Sequence, residues 1–511
     1  MAPAAAVLLG PLLLASLSGV STTTSVFPLT LPGSLLSRLG DHIQEVQARL
    51  GQRLGEPSPA REGWLQQPLD PFNSSDQRSF LQRYWVNTRH WRFPDGPVFL
   101  HIGGESSLGP SSVLKGHPGT LAPLWGALVV SLEHRFYGHS IPPGGLDLVQ
   151  LRFLSSRHAL ADVASACIQL SRIYNISASS PWIGFGGSYA GSLAAWARLK
   201  FPHLIWAAVA SSAPVQAQLD FSSYNQVVSR SLADPAVGGS SKCRRAVVQA
   251  FAELDHGLSE GKETQAALQS EVRACGTLET PEDQAELLEQ LEGLVGAAVQ
   301  YDQQAGVPLD VRSLCHLMLA NQSRGPLSGL QDAIQLVLQT LGLPCLPSSK
   351  AAAVAEMKDT SPQAEGLGSR QWFYQTCTEF GYYITCKDSS CPFSRRRTLS
   401  DQLQLCAQVF GLLPASVAEA VTRTNTYYGG QSPGATRVFF VNGDIDPWHV
   451  LSVLQALGSS EPAVLLRGTS HCSDMAPAQP SDPPSLHLGR QKIAQQLKIW
   501  LQEAKVDLGS V

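Results

Sequence analysis

The stretch WIGFGGSYAGSLAAWARLKFP, residues 182–202, changes character in its middle. Trp182 to Phe185 reads as a buried strand. Gly186 and Gly187 read as a turn, and Ser192 to Phe201 as a helix that stops at Pro202. Ser188 stands at the corner. A serine there either caps the helix or is held out as a nucleophile on a sharp strand-to-helix elbow of the G-x-S-x-G kind. The elbow tolerates only small neighbours. Gly186 and Gly187 precede the serine and Ala190 and Gly191 follow it, with alanine replacing the usual last glycine at the cost of one methyl.

The segments around this corner alternate in the same way. PVFLHIGGE (97–105) and ALVVSLEHRFYG (127–138) each open as a strand. HALADVASACIQLSRIYN (158–175) spaces Leu160, Val163, Ala164, Cys167 and Ile168 as one helix face, and IWAAVASSAP (205–214) is again a strand. Apolar strands alternating with amphipathic helices imply a mostly parallel sheet covered on both faces. From about Gln216 to Gly430 the pattern becomes helical, without intervening strands. The α/β pattern resumes with RVFFVNGDIDPW (437–448) and AVLLRGTSHCSD (463–474) and closes on the helix RQKIAQQLKIWLQEAK (490–505). The reading is an α/β-hydrolase fold whose sheet is interrupted by a helical, disulfide-rich cap insertion.

A serine hydroxyl attacks only when a histidine takes its proton and an acid orients that histidine. On this fold the chain order is serine, acid, histidine, each after a strand. Asp444, Asp446 and His471 meet that condition. Asp446 is preferred because Pro447 keeps it in a loop, whereas Asp444 follows Gly443 and suits a turn. His449 is the rival base, but it shares the acid's own loop. An oxyanion hole needs two backbone N–H donors. Tyr189 supplies one, and Gly103 or Gly104, after the strand in HIGGE, the other.

With 511 residues the chain exceeds one simple core. It is 43% hydrophobic and 15% charged, with net charge −4, which gives no electrostatic basis for binding nucleic acid or an anionic membrane. No phosphate loop, HExxH or paired CxxC is present, so no metal or cofactor is expected. The first 24 residues, apolar and then small and polar, read as a secretory leader, and no later apolar run suits a membrane anchor. Sequons at Asn73, Asn175 and Asn321 agree with secretion. So do the cysteines: of 10, eight (Cys243, Cys275, Cys315, Cys345, Cys377, Cys386, Cys391 and Cys406) cluster in the insertion. Their pairing cannot be read from sequence. Cys167, on a helix face, is expected to be a buried thiol.

The resulting boundaries are a leader over residues 1–24, an N-terminal segment over 25–63 and a first core portion over 64–215. The cap insertion follows over 216–430, and a second core portion over 431–511. Residues 51–62, GQRLGEPSPARE, read as a flexible connecting segment.

GGSYAG (186–191), EHRFYG (133–138), NGDIDPW (442–448) and SHCSD (470–474) together resemble the lysosomal prolyl-carboxypeptidase and dipeptidyl-peptidase-II family of serine peptidases, from about Trp64 to the C-terminus. The resemblance implies Ser188, Asp446 and His471 as the triad, and a cap that narrows access, so that the protein acts as an exopeptidase or on short peptides, often after proline. It also implies peptide substrates as partners, admits a homodimer, and places the protein in the secretory route, with endosome or lysosome as the leading destination and secretion as the alternative, and activity held near pH 5.5. Gly187 separates the chain from sequences resembling GESYAG, in which a glutamate helps bind the substrate carboxylate. Two other readings share the fold: an esterase or lipase, and a catalytically silent binding protein.

Overall fold

The computed structural model describes residues 34–50, 58–320, 322–362 and 368–507. The leader and Asn321 lie outside them. Ten strands occur among the described residues: β1 (Ala60–Pro68), β2 (Ser79–Asn87), β3 (Val98–Ile102), β4 (Leu128–Leu132), β5 (Trp182–Gly187), β6 (Ala207–Ser211), β7 (Gln218–Asp220), β8 (Gly381–Tyr383), β9 (Val438–Gly443) and β10 (Ala463–Leu466). Eight of them form one sheet in the order β1-β2-β4-β3-β5-β6-β9-β10. β1 and β2 run antiparallel at one edge, and β4 to β10 are parallel.

The parallel strands inside the sheet are buried on both faces, the edge strand β10 less so, and their side chains still alternate. In β9, Val438 and Phe440 enter one core, while Phe439 and Val441 enter the other. The first core is closed by the helices Ser156–Ile173 and Tyr189–Lys200, which contribute Leu160, Val163, Leu193 and Trp196. The second is closed by Gly116–Trp125 and Pro484–Asp507, through Ala122, Ile493, Leu497 and Trp500. Every strand-to-helix turn therefore opens at the same end of the sheet, where ligand sites form in open α/β folds.

The insertion adds helices including Ser241–Ser259, Pro281–Gln300 and Ser328–Leu341. Four disulfides lie within it: Cys243–Cys315, Cys275–Cys345, Cys377–Cys406 and Cys386–Cys391. Cys167 is a buried free thiol and Cys472 a partly buried one.

Three features depart from the sequence expectations. β1 begins at Ala60, inside the segment read as a flexible connection. It is an edge strand that buries only Leu65 and Gln67, so its apolar signal is weak. The insertion is not wholly helical, because β7 and β8 pair in parallel within it. At three residues each they leave no periodic trace. Residues 25–63 carry the helix Leu35–Arg49, which sets Leu35 against the cap, its N–H donating to Gln290 Oε1 at 2.7 Å. Among the described residues no single helix is long and apolar enough to cross a membrane.

Candidate active site

β5 ends at Gly187, and the chain turns into the helix Tyr189–Lys200 through Ser188, at φ 58° and ψ −132°. A non-glycine residue at positive φ is strained by roughly 1–3 kcal/mol. The corner is held on both sides. The Ser188 N–H donates to the Ser211 carbonyl at 2.9 Å, and the Ser192 N–H donates to the Ser188 carbonyl at 3.1 Å. Gly186 is required because a Cβ there would strike the Ala190 carbonyl. The Ser188 side chain makes no capping hydrogen bond. Its hydroxyl is thus left free on a half-buried corner, which answers the choice between cap and held-out side chain.

Asp446 is fully buried after β9. Its Oδ1 accepts the Trp448 N–H at 2.9 Å and lies 2.9 Å from His471 Nδ1. The ring N–H is not aimed along that contact, and Oδ2 is buried without a partner. Such pairs are commonly misaligned without substrate and tighten when it binds. His471, 6% exposed, is fixed through its backbone. Its N–H donates to the Gln300 carbonyl at 2.9 Å, and Gln304 Nε2 donates to its carbonyl at 2.6 Å. Burial alone would push the imidazole pKa down. Asp446, helped by Cys472, outweighs burial and raises it well above the ordinary histidine range.

The rivals are occupied elsewhere. Asp444 Oδ1 accepts the Gly468 N–H at 2.6 Å, stapling the turn after β10, and His449 Nδ1 lies 2.6 Å from the Asp446 backbone carbonyl. Of the two oxyanion candidates, Gly103 is corrected: its N–H already donates to the Leu132 carbonyl at 2.9 Å. Gly104 backs onto the elbow, where a Cβ would sit 3.4 Å from the Ala190 nitrogen. The Tyr189 side chain is an anchor, with its hydroxyl 3.0 Å from His134 Nε2 and accepting Gln375 Nε2 at 2.9 Å. In EHRFYG, Arg135 forms a buried two-pronged pair with Asp162 at 2.7 Å on each arm. The motif is scaffolding.

A side chain at Gly187 would meet Met475 Sδ at 2.6 Å and Cys472 Sγ at 3.0 Å. The loop carrying His471 fills the place a glutamate would need. The same loop is tied down by Asp474, whose Oδ2 accepts the Ser211 hydroxyl at 2.6 Å and lies 2.9 Å from His117 Nε2. Sequence reasoning passed over Asp474 and Trp448 although both lie within the quoted motifs, and it had no signal for Gln300 or His117. Asn73 and Asn175 are exposed.

The sequence profile of the serine carboxypeptidase S28 family matches residues 67–493. The chain belongs to this family. It is 62% identical over 507 residues to "Thymus-specific serine protease" of Homo sapiens, covering 97% of both chains. It is 61% identical to the Mus musculus protein of the same name, covering 97% of this chain and 98% of that one. It is also 27% identical over 465 residues to "Lysosomal Pro-X carboxypeptidase" of Bos taurus, covering 87% of this chain and 89% of that one. As an S28 member the chain is a serine peptidase.

Proposed function

We propose that this S28 peptidase cleaves short peptides through Ser188, His471 and Asp446, with an acyl-enzyme intermediate. The observation that carries the reading is the 2.9 Å approach of His471 to buried Asp446, on a loop whose next residue, Cys472, packs against the elbow at Gly187, where the following serine is strained and uncapped. His471 Nε2 takes the Ser188 proton as Oγ attacks the scissile carbonyl. The N–H groups of Tyr189 and Gly104 receive the oxyanion. His471 then returns the proton to the leaving amine, and water reverses the sequence to free the acid.

Trp448 lies 6.5 Å from the His471 ring, with Phe221 and Tyr382 at 5.1 and 5.2 Å from Trp448. Of these rings only Trp448 is partly exposed, and its place beside the base is in keeping with cleavage after proline, the preference named for the Pro-X relatives. The cap above it favours exopeptidase action. Bridged cysteines, exposed sequons and the leader support the secretory route, with endosome or lysosome as destination. The raised His471 pKa favours a rate that climbs as the compartment becomes less acidic. Peptide processing in thymus rests on the name of the 62% identical relative.

The test is labelling by a serine-reactive phosphonate with Ser188→Ala as control, followed by peptide libraries blocked at either end. Wild type should label and the variant should not. Equal labelling of both would remove the proposal.

A further inference from the structure

The cap helix Pro281–Gln300 ends against both loops that carry the acid and the base. Gln300, 5% exposed, makes three hydrogen bonds there. Its backbone carbonyl accepts the His471 N–H at 2.9 Å. Its side-chain Oε1 accepts Trp448 Nε1–H and the Tyr224 hydroxyl, each at 2.9 Å. The indole can only donate, so the amide oxygen must face it. Trp448 in turn donates its backbone N–H to Asp446 Oδ1, the oxygen that faces His471. One residue of the insertion thus holds loops that leave two different strands, β9 and β10.

We infer that Gln300 is a positioning residue that registers the Asp446 loop against the His471 loop from the cap, so that the triad is assembled only while the cap is seated on the sheet. The inference rests on the proposed triad. Misplacement of a catalytic group by about 1 Å costs on the order of a hundredfold in rate, and Gln300 is bonded directly to one loop and through one indole to the other. The charged or titratable groups that act on His471 are Asp446, Cys472 and Glu105, and the Tyr301 ring lies 6.4 Å away. Gln300 is neutral, so removing its amide changes geometry without changing charge.

The experiment compares Gln300→Met and Gln300→Glu in the full-length protein, with kcat expressed per phosphonate-titrated site. Methionine keeps the length but offers Trp448 and Tyr224 only a weak thioether acceptor in place of the amide oxygen. A fall in kcat of about a hundredfold with little change in KM is expected. Glutamate keeps an acceptor and should restore most of kcat. Its added charge should also move the acid limb of the pH profile upward. Trp448→Phe removes the same bond from the other side and decides the matter if Gln300→Met does not fold. Wild-type kcat per site in Gln300→Met, or in Trp448→Phe when only that variant folds, would overturn the inference. A wild type that fails to label would instead overturn the triad.

Discussion

The carbonyl of Ser211 accepts the backbone N–H of Ser188 at 2.9 Å, so the end of β6 holds the corner at the end of β5. The Ser211 hydroxyl reaches the other way, to Asp474 Oδ2 at 2.6 Å, and His117 shares that oxygen at 2.9 Å. Three buried side chains join the elbow to the loop that carries His471. Asp474→Ala leaves a hydroxyl and an imidazole buried without partners, and should lower stability by about 2–4 kcal/mol. Ser211→Ala removes one bond of the node and should cost about 1 kcal/mol. Chemical denaturation of the two variants measures both; equal effects would show that Asp474 is not the centre.

Ser188 stores strain for its position. Ser188→Gly should raise stability by about 1–2 kcal/mol, because glycine adopts φ 58° without penalty. Turnover should fall to the residue left by binding and the oxyanion donors. Ser188→Ala should lose turnover equally without the gain in melting temperature.

The pH dependence follows from His471. The base form is needed for attack, and its pKa lies well above 6.5, so kcat/KM should rise with pH through a value above 6.5. The stability term has the opposite slope. A histidine whose folded-state pKa is raised adds stability that is complete below pH about 6.5 and is lost as pH climbs through the folded value. Asp446→Asn should lower kcat by about 10⁴ and move the acid limb downward. Asp444→Asn should do neither, since an amide oxygen can still accept the Gly468 N–H. An acid limb below 6.5 in the wild type would contradict the electrostatic reading of this pair.

The bridges differ in reach. Cys243–Cys315 closes a separation of 72 residues and Cys386–Cys391 one of 5. Loop entropy assigns the first about 4 kcal/mol and the second about 2. Paired serine substitutions should rank in that order on denaturation. Mass spectrometry of unreduced digests should find four bridges, with Cys167 and Cys472 as thiols.

The sheet and the proposed triad were legible because each feature is local. A strand, two glycines and a serine announce the elbow, and Asp446 and His471 each follow a strand in the order the fold requires. The long insertion hid its connections for the opposite reason. Gln300 looks like the end of any amphipathic helix, and what makes it matter is a loop at residues 470–474. Gly103 looked as suitable as Gly104 because both are glycines after a strand. Only the Leu132 carbonyl, on the neighbouring strand, distinguishes them. β1 escaped notice because an edge strand need bury only alternate side chains.

β6 ends at Ser211, yet its parallel neighbour β9 begins only at Val438. A ribosome adding about 5–20 residues per second takes roughly ten to fifty seconds to cross that interval. For that time the nascent sheet stops at β6, whose outer row of N–H and C=O groups has no neighbour and whose side chains are wholly apolar or small. Everything that emerges meanwhile is the insertion with its eight bridged cysteines. Bridges that close while the insertion emerges would close beside a half-built sheet, and a mispaired cysteine there would hold β9 away from its place.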